Sequence, residues 1–257
     1  LAASDPANAA WQRDLSVSVY RLADIAEKQG NIPEALRQFT EYKGIIERLA
    51  AADPSNATLQ SDVPRALDRL GDLAVAQGDL AGALRCFTEG KTIRERLAAS
   101  DPANAAWQRD LSVSLNKLGD LAVAQGDLAG ALRSFTESKT IRERLAASDP
   151  ANAEWQRDLS VSLNKLGDLA VKQGDLAGAL RSFTESKTIA ERLAASDPAN
   201  TEWQRDLFYS CYVIAAKVFQ PQQRWVEALA LMEQSLRISE RLAVTDPTNV
   251  KWQKDVK

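Results

Sequence analysis

The chain contains no histidine, only two cysteines and one methionine among its 257 residues. Without histidine it lacks the commonest general base near neutral pH and the commonest metal ligand. Most hydrolytic and metal-assisted mechanisms go with it, and no catalytic residue, metal site or cofactor is expected. Eighteen consecutive apolar residues, the least a membrane span requires, occur nowhere, so no membrane partner is expected. An excess of basic charge is missing too. Lysine and arginine number 32 against 35 acids, spread along the chain for a net charge of -3. No basic stripe exists to displace counterions from a nucleic acid, so none is expected as a partner. Strict alternation of apolar and polar letters is also lacking, which removes half-buried strands. The glycine-containing stretch Gly126-Asp127-Leu128-Ala129-Gly130 has neither the glycine spacing nor the Lys-Ser/Thr ending of a phosphate-binding loop.

What the chain does have is one sentence written repeatedly. Pro6, Pro54, Pro102, Pro150 and Pro198 share a register, as do Trp11, Leu59, Trp107, Trp155 and Trp203, at a shift of 48 residues. Residues 103–150 and 151–198 differ only at Ala106/Glu154, Ala124/Lys172 and Arg142/Ala190. The last copy gains one residue around Gln220-Pro221-Gln222-Gln223, which carries the markers to Pro247 and Trp252. A fixed period of this size marks an array in which each copy buries its apolar face against its neighbours. The copies run 7–54, 55–102, 103–150, 151–198 and 199–247, with the start of a sixth at 248–257, as a single array. Residues 1–18 repeat 97–114 letter for letter behind Leu1, so the sequence reads as a piece of a longer protein.

Within one copy, Trp107, Leu111, Leu115, Leu118 and Ala122 fall at helical spacing after a cap at Asp101-Pro102 or Asn104. Gly126-Asp127 ends this helix A and starts helix B, which carries Leu128, Leu132, Phe135, Ile141 and Leu145. So short a turn makes an antiparallel hairpin. Leu115-x2-Leu118-Gly119-x2-Ala122 followed by Ala131-x3-Phe135 resembles the tetratricopeptide repeat, and Leu163, Leu166, Gly167, Ala170, Ala179 and Phe183 repeat it. The first and third aromatic positions of that family hold Leu and Ala, and the expected proline comes seven residues late at Pro150. Each helix is therefore about two turns longer, as in kinesin-light-chain-like repeats. The resemblance implies an all-α solenoid, a right-handed superhelix of antiparallel hairpins. Gly71, Gly119 and Gly167 in mid-helix imply close contact between helices A and B. The tryptophan column reads as packing between copies rather than a ligand ladder. Cys86 stands where Ser134 and Ser182 stand, and Cys211 where Leu115 and Leu163 stand; they are too far apart in such an array for one disulfide.

The resemblance further implies a non-enzymatic, cytoplasmic interaction scaffold, a regulatory or sensing arm of a larger bacterial protein, binding a peptide or protein partner on the helix A face. Here that face carries Val113, Asn116, Lys117, Asp120 and Val123, then Val161, Asn164, Lys165, Asp168 and Val171, with Arg69 and Asp72 in the second copy. An amide both donates and accepts, so Asn116 and Asn164 suit the backbone of an extended peptide. The competing reading is that the acids and bases pair along or between helices. The fifth copy departs from the others with Tyr209, Tyr212, Val213, Ala216 and Phe219, an apolar face that marks either an interaction site or a junction with a further unit or domain. An alternative to partner binding is self-association, through this face or through uncapped repeat ends at Leu15 and Trp252.

Overall fold

In the computed structural model, residues 8–245 are described; Pro6, Pro247, Trp252 and the start of the sixth copy lie outside them. Ten α-helices and one π turn succeed one another: α1 (Ala9–Lys28), α2 (Ile32–Ala52), α3 (Ala57–Ala76), α4 (Leu80–Ser100), α5 (Ala105–Ala124), α6 (Leu128–Ser148), α7 (Ala153–Lys172), α8 (Leu176–Ser196), α9 (Thr201–Ile214), the π turn (Ala215–Phe219) and α10 (Trp225–Thr245). Odd-numbered helices are the A helices of the repeat and even-numbered ones the B helices. The residues gather into two compact units that divide between Asp127 and Leu128. In the first, α1 to α5 each pack on their neighbours in sequence; in the second, α6 to α10 do the same. The fold is all-α, and its architecture within each unit is the stacked hairpin of a solenoid.

Helix starts are set by side chains. The five asparagines before the A helices, Asn8, Asn56, Asn104, Asn152 and Asn200, each accept from the amide of the residue three places on, at 3.1 to 3.2 Å. The cap is thus the asparagine rather than the Asp-Pro pair. Asp79 and Asp175 cap α4 and α8, accepting at 2.8 Å from Gly82 and Gly178. Between A and B helices the chain passes through a left-handed residue. Gly30, Gly78, Gly126 and Gly174 supply it at φ of 74 to 80°.

The hairpin is held by the step seen in the sequence. A Cβ added at Gly71 would lie 2.3 Å from the Phe87 ring, and one at Gly167 would lie 2.5 Å from Phe183. The rings of Phe39, Phe87, Phe135 and Phe183 are buried, and each contributes roughly 2 to 3 kcal/mol by leaving water. Between hairpins a second tie recurs that the letters did not announce. The amides of Gln60, Gln108, Gln156 and Gln204 donate to the carbonyls of Ala50, Ala98, Ala146 and Ala194 at 2.9 to 3.1 Å, fastening each A helix to the preceding B helix. Trp203 packs partly buried against the apolar cluster that contains Leu159, Leu163, Ile189 and Leu193 of the previous hairpin, in keeping with packing between copies.

The extra residue of the fifth copy is absorbed in the helix. The π turn at Ala215–Phe219 takes in one more residue than an α turn would, and Gln220–Gln223 then forms the reversal. Gln223 occupies the left-handed place of the earlier glycines, at φ 59°. No helix among the described residues is long and apolar enough to cross a membrane.

Candidate functional site

The charged rows of the A helices are largely occupied by one another. Arg69 on α3 reaches back to α1, where it donates to Asp24 at 3.0 Å and Glu27 at 2.5 Å, and its guanidinium lies 5.0 Å from the centre of the Phe39 ring. Lys117 on α5 does the same one copy later. It donates to both oxygens of Asp72 on α3 at 2.6 and 2.8 Å and stands 5.3 Å over Phe87. In the second unit Lys217 donates to Asp168 on α7 at 2.6 Å. Burial pulls Lys217 down, but the hydrogen bond and charge of Asp168 outweigh it and leave the ammonium above the ordinary lysine value. Lys165 and Asp120 have interactions of their own, although Asp120 is exposed. Such pairs contribute about 0 to 1 kcal/mol each, so their main effect is to leave few free charges on the face.

The amide row lies deeper than its helical position suggested. Asn116 is only 7% exposed and is partnered within the protein. Asn164 is half-buried, and its Oδ1 is shielded from solvent with no hydrogen-bond donor. One edited letter accounts for this. In the second copy Arg94 holds the place of Ala190 and grips Asp68, the counterpart of Asn164, at 3.1 and 2.6 Å while also donating to Ser114 at 2.5 Å. Arg142 holds that place in the third copy and donates to the Asp158 carbonyl at 2.7 Å. Ala190 instead joins an apolar cluster with Leu207, Cys211, Ile238 and Leu242. Asn164 has lost the donor that stood opposite it, and a buried unpaired carbonyl costs roughly 1 to 3 kcal/mol.

A second gap in a repeating pair is also visible in the letters. Arg13 and Arg157 pair with Asp62 and Asp206 on the next A helix, but Ser61 stands where the second copy would have its arginine. Asp110, opposite Ser61, is pushed above the ordinary aspartate value by burial, with Arg94, Arg65 and Arg109 partly offsetting it.

The fifth copy divides where one apolar face was expected. Tyr209 and Tyr212 are 41% and 44% exposed, and Tyr212 stacks on Phe208 at 6.4 Å. Val213 is buried, and Phe219, 8% exposed, joins the core with Arg224 lying 4.3 Å from its ring centre. The π turn accounts for Phe219, because one added residue rotates the positions that follow it by about 100° around the helix. Phe219 thereby takes the place of Ala170, and Met232 across the hairpin takes that of Phe183. Bulk has moved from one helix to the other.

The backbone superposes on BtubC (BKLC) from P. vanneervenii with a TM-score of 0.66, covering 95% of this chain and 85% of that one at 17% identity. The apo form of RapI gives 0.60 over 88% and 70% at 9% identity. The nearly identical, kinesin-light-chain-type TPR-like repeats of a Podosopora anserina protein give 0.48 over 89% and 95% at 17% identity. The fold is tetratricopeptide-like. Its hallmark here is the contact of the A-helix glycine with the B-helix phenylalanine, made at Gly71 with Phe87 and at Gly167 with Phe183. No protein-family model and no curated protein matches the sequence. Among the described residues no group of three or more histidine, cysteine, aspartate or glutamate side chains is placed to hold a metal ion.

Proposed function

We propose that this protein is a non-enzymatic interaction scaffold that binds a peptide or protein partner on its A-helix face, with Tyr209 and Tyr212 as the anchor. One observation carries the reading. Where the third and fourth copies carry Val113 with Asn116 and Val161 with Asn164, the fifth presents two half-exposed tyrosines on one face of α9. Tyrosine combines a large apolar ring with a hydroxyl at low entropic cost, and it is enriched at the centres of interfaces. Asn164, Lys165 and Asp168 on α7 form the polar margin of this anchor; Arg69, Asp72, Asn116, Lys117 and Asp120 are the equivalent positions of the first unit. The resemblance of the repeats also supports a cytoplasmic regulatory or sensing arm of a larger bacterial protein.

The test compares the intact chain with Tyr209→Ser/Tyr212→Ser and with Asn164→Ala in a pull-down from the source cell. Loss of captured proteins with an unchanged melting temperature is the expected result. Unfolding of the tyrosine variant would place those rings in the core, and an unchanged catch would place the anchor elsewhere.

A second reading, self-association, draws support from α10. Trp225, Leu229 and Leu236 are exposed large apolar side chains on one stripe of that helix. Light scattering over a concentration series decides it. A mass that grows in the parent and stays monomeric in Trp225→Ser/Leu229→Ser supports it, while a constant monomer rejects it.

A further inference from the structure

The groove between α1 and α3 in the first unit has a chemistry of its own, independent of the tyrosines at 209 and 212. It encloses about 540 Å³, and its lining includes Arg13, Tyr20, Arg21, Tyr42, Asp62 and Arg65. Asp62 is 2% exposed, and its two oxygens are held by Arg13 on one side and by Arg65, at 2.8 Å, on the other. Two cations share one carboxylate, which leaves a positive charge. Arg21 adds another: it is exposed and makes no hydrogen bond or ion pair with any described residue. The remaining acid of the groove, Asp24, is already taken by Lys28 and Arg69.

Tyr42 reaches this groove from α2. Its residue is 4% exposed, its ring meets Tyr20 edge-on at 5.2 Å, and the hydroxyl has no hydrogen-bond partner among the described residues. Burial first, and then the charge of Asp62, push this phenol up to about 12, with Arg65 and Arg13 acting the other way. It therefore keeps its proton, and within the groove lining it is a donor without a protein acceptor, open to one that enters. Arg13, Asp62 and the cation at Arg21 recur in other copies, but Tyr42 and Arg65 do not: the other copies hold Gly90, Ser138, Ser186 and Ser235 where Tyr42 stands, and Val17, Val113, Val161 and Tyr209 where Arg65 stands.

We infer that this groove binds an acidic side chain, the carboxylate of an aspartate or glutamate in an extended segment of a partner protein. Arg21 and the exposed edge of Arg65 meet its charge, and the Tyr42 hydroxyl donates to one oxygen. A singly charged carboxylate suits the site better than a phosphate dianion, because Asp62 lies on the same floor and repels the second charge.

The probe is a short fluorescent peptide of alternating glutamate and serine, amidated at its C-terminus so that only side chains carry charge, with a glutamine-for-glutamate peptide as its control. Binding to the whole chain is read by fluorescence anisotropy. The glutamate peptide should bind about tenfold more tightly than the glutamine one, and Tyr42→Phe and Arg21→Gln should each weaken it about fivefold to tenfold. Tyr209→Ser/Tyr212→Ser should leave it unchanged, which separates this site from the tyrosine anchor. Absence of binding, equal binding of the two peptides, or full binding by both groove variants overturns the inference. Should Tyr42→Phe fail to fold, Arg21→Gln decides alone, since that side chain supports no described contact.

Discussion

Cys211 and Cys86 lie in different units, and both thiols are pushed up by burial, Cys211 to about 11. Neither is a nucleophile at neutral pH, since the thiolate is the reactive form. Cys211 and Tyr42 both have folded values above their ordinary ones of 9.0 and 10.0, so the fold favours their neutral forms. Their contribution to stability is complete below about pH 9 and is lost as the pH climbs toward about 11 and 12. Urea midpoints should therefore fall over that alkaline range, and Cys211→Ala combined with Tyr42→Phe should flatten the fall. Asp110 calls for the opposite repair. Its burial without the arginine found at positions 13 and 157 predicts that Ser61→Arg stabilises the protein at pH 7, by at most about 1 kcal/mol for a half-exposed pair. A midpoint that drops would mean the side chain cannot reach. The gap at Ser61 was legible in the sequence because four of the five copies carry arginine there; the shielding of Asn164 was not, since it depends on what helix B places opposite.

The hairpins and the close approach of helices A and B at the mid-helix glycines could be read from spacing, because each copy states them again; that a phenylalanine ring fills the contact came from the structure. The orientation of the A helices was harder to read. Helical spacing places Asn116, Lys117 and Asp120 near one face, but a rotation of one position decides that Asn116 is buried and Asp120 exposed. Likewise the count of letters located an added residue near Gln220–Gln223, whereas the helix relaxes it into the π turn one turn earlier. A single π turn of this kind takes in one residue while the helix continues on either side. In the reversal beyond that turn, Gln223 adopts a left-handed conformation that costs a residue with a Cβ about 1 kcal/mol. Gln223→Gly should raise the unfolding free energy by that amount, measured by urea titration, and no change would show that the side chain compensates through contacts of its own.

On the scale of the molecule, helices within each unit touch chiefly their neighbours in sequence. Stability in such an array is a sum of local terms, and opening at one place need not open another. The thiols report on two places, Cys86 on α4 and Cys211 on α9. Their labelling by a thiol reagent should rise at different urea concentrations, and coincident curves would show that the units unfold as one. The same locality explains why so much of the architecture was visible in the letters while the proposed contacts were not: packing is repeated, whereas those proposals rest on departures such as Tyr42, Arg65 and Tyr209, each found in one copy at its place in the repeat.

The π turn also has a genetic consequence. Near-identical copies invite unequal recombination, and exchanges among the first four preserve a pitch of 48 residues, so each glutamine tie finds its partner in the product. An exchange that carries the fifth copy inward would import its extra residue and turn the next helix by about 100°. Length variants arising during passage should therefore gain or lose whole 48-residue blocks upstream of Ala215, and sequencing such variants would check this; blocks that include residues 215–223 would overturn it.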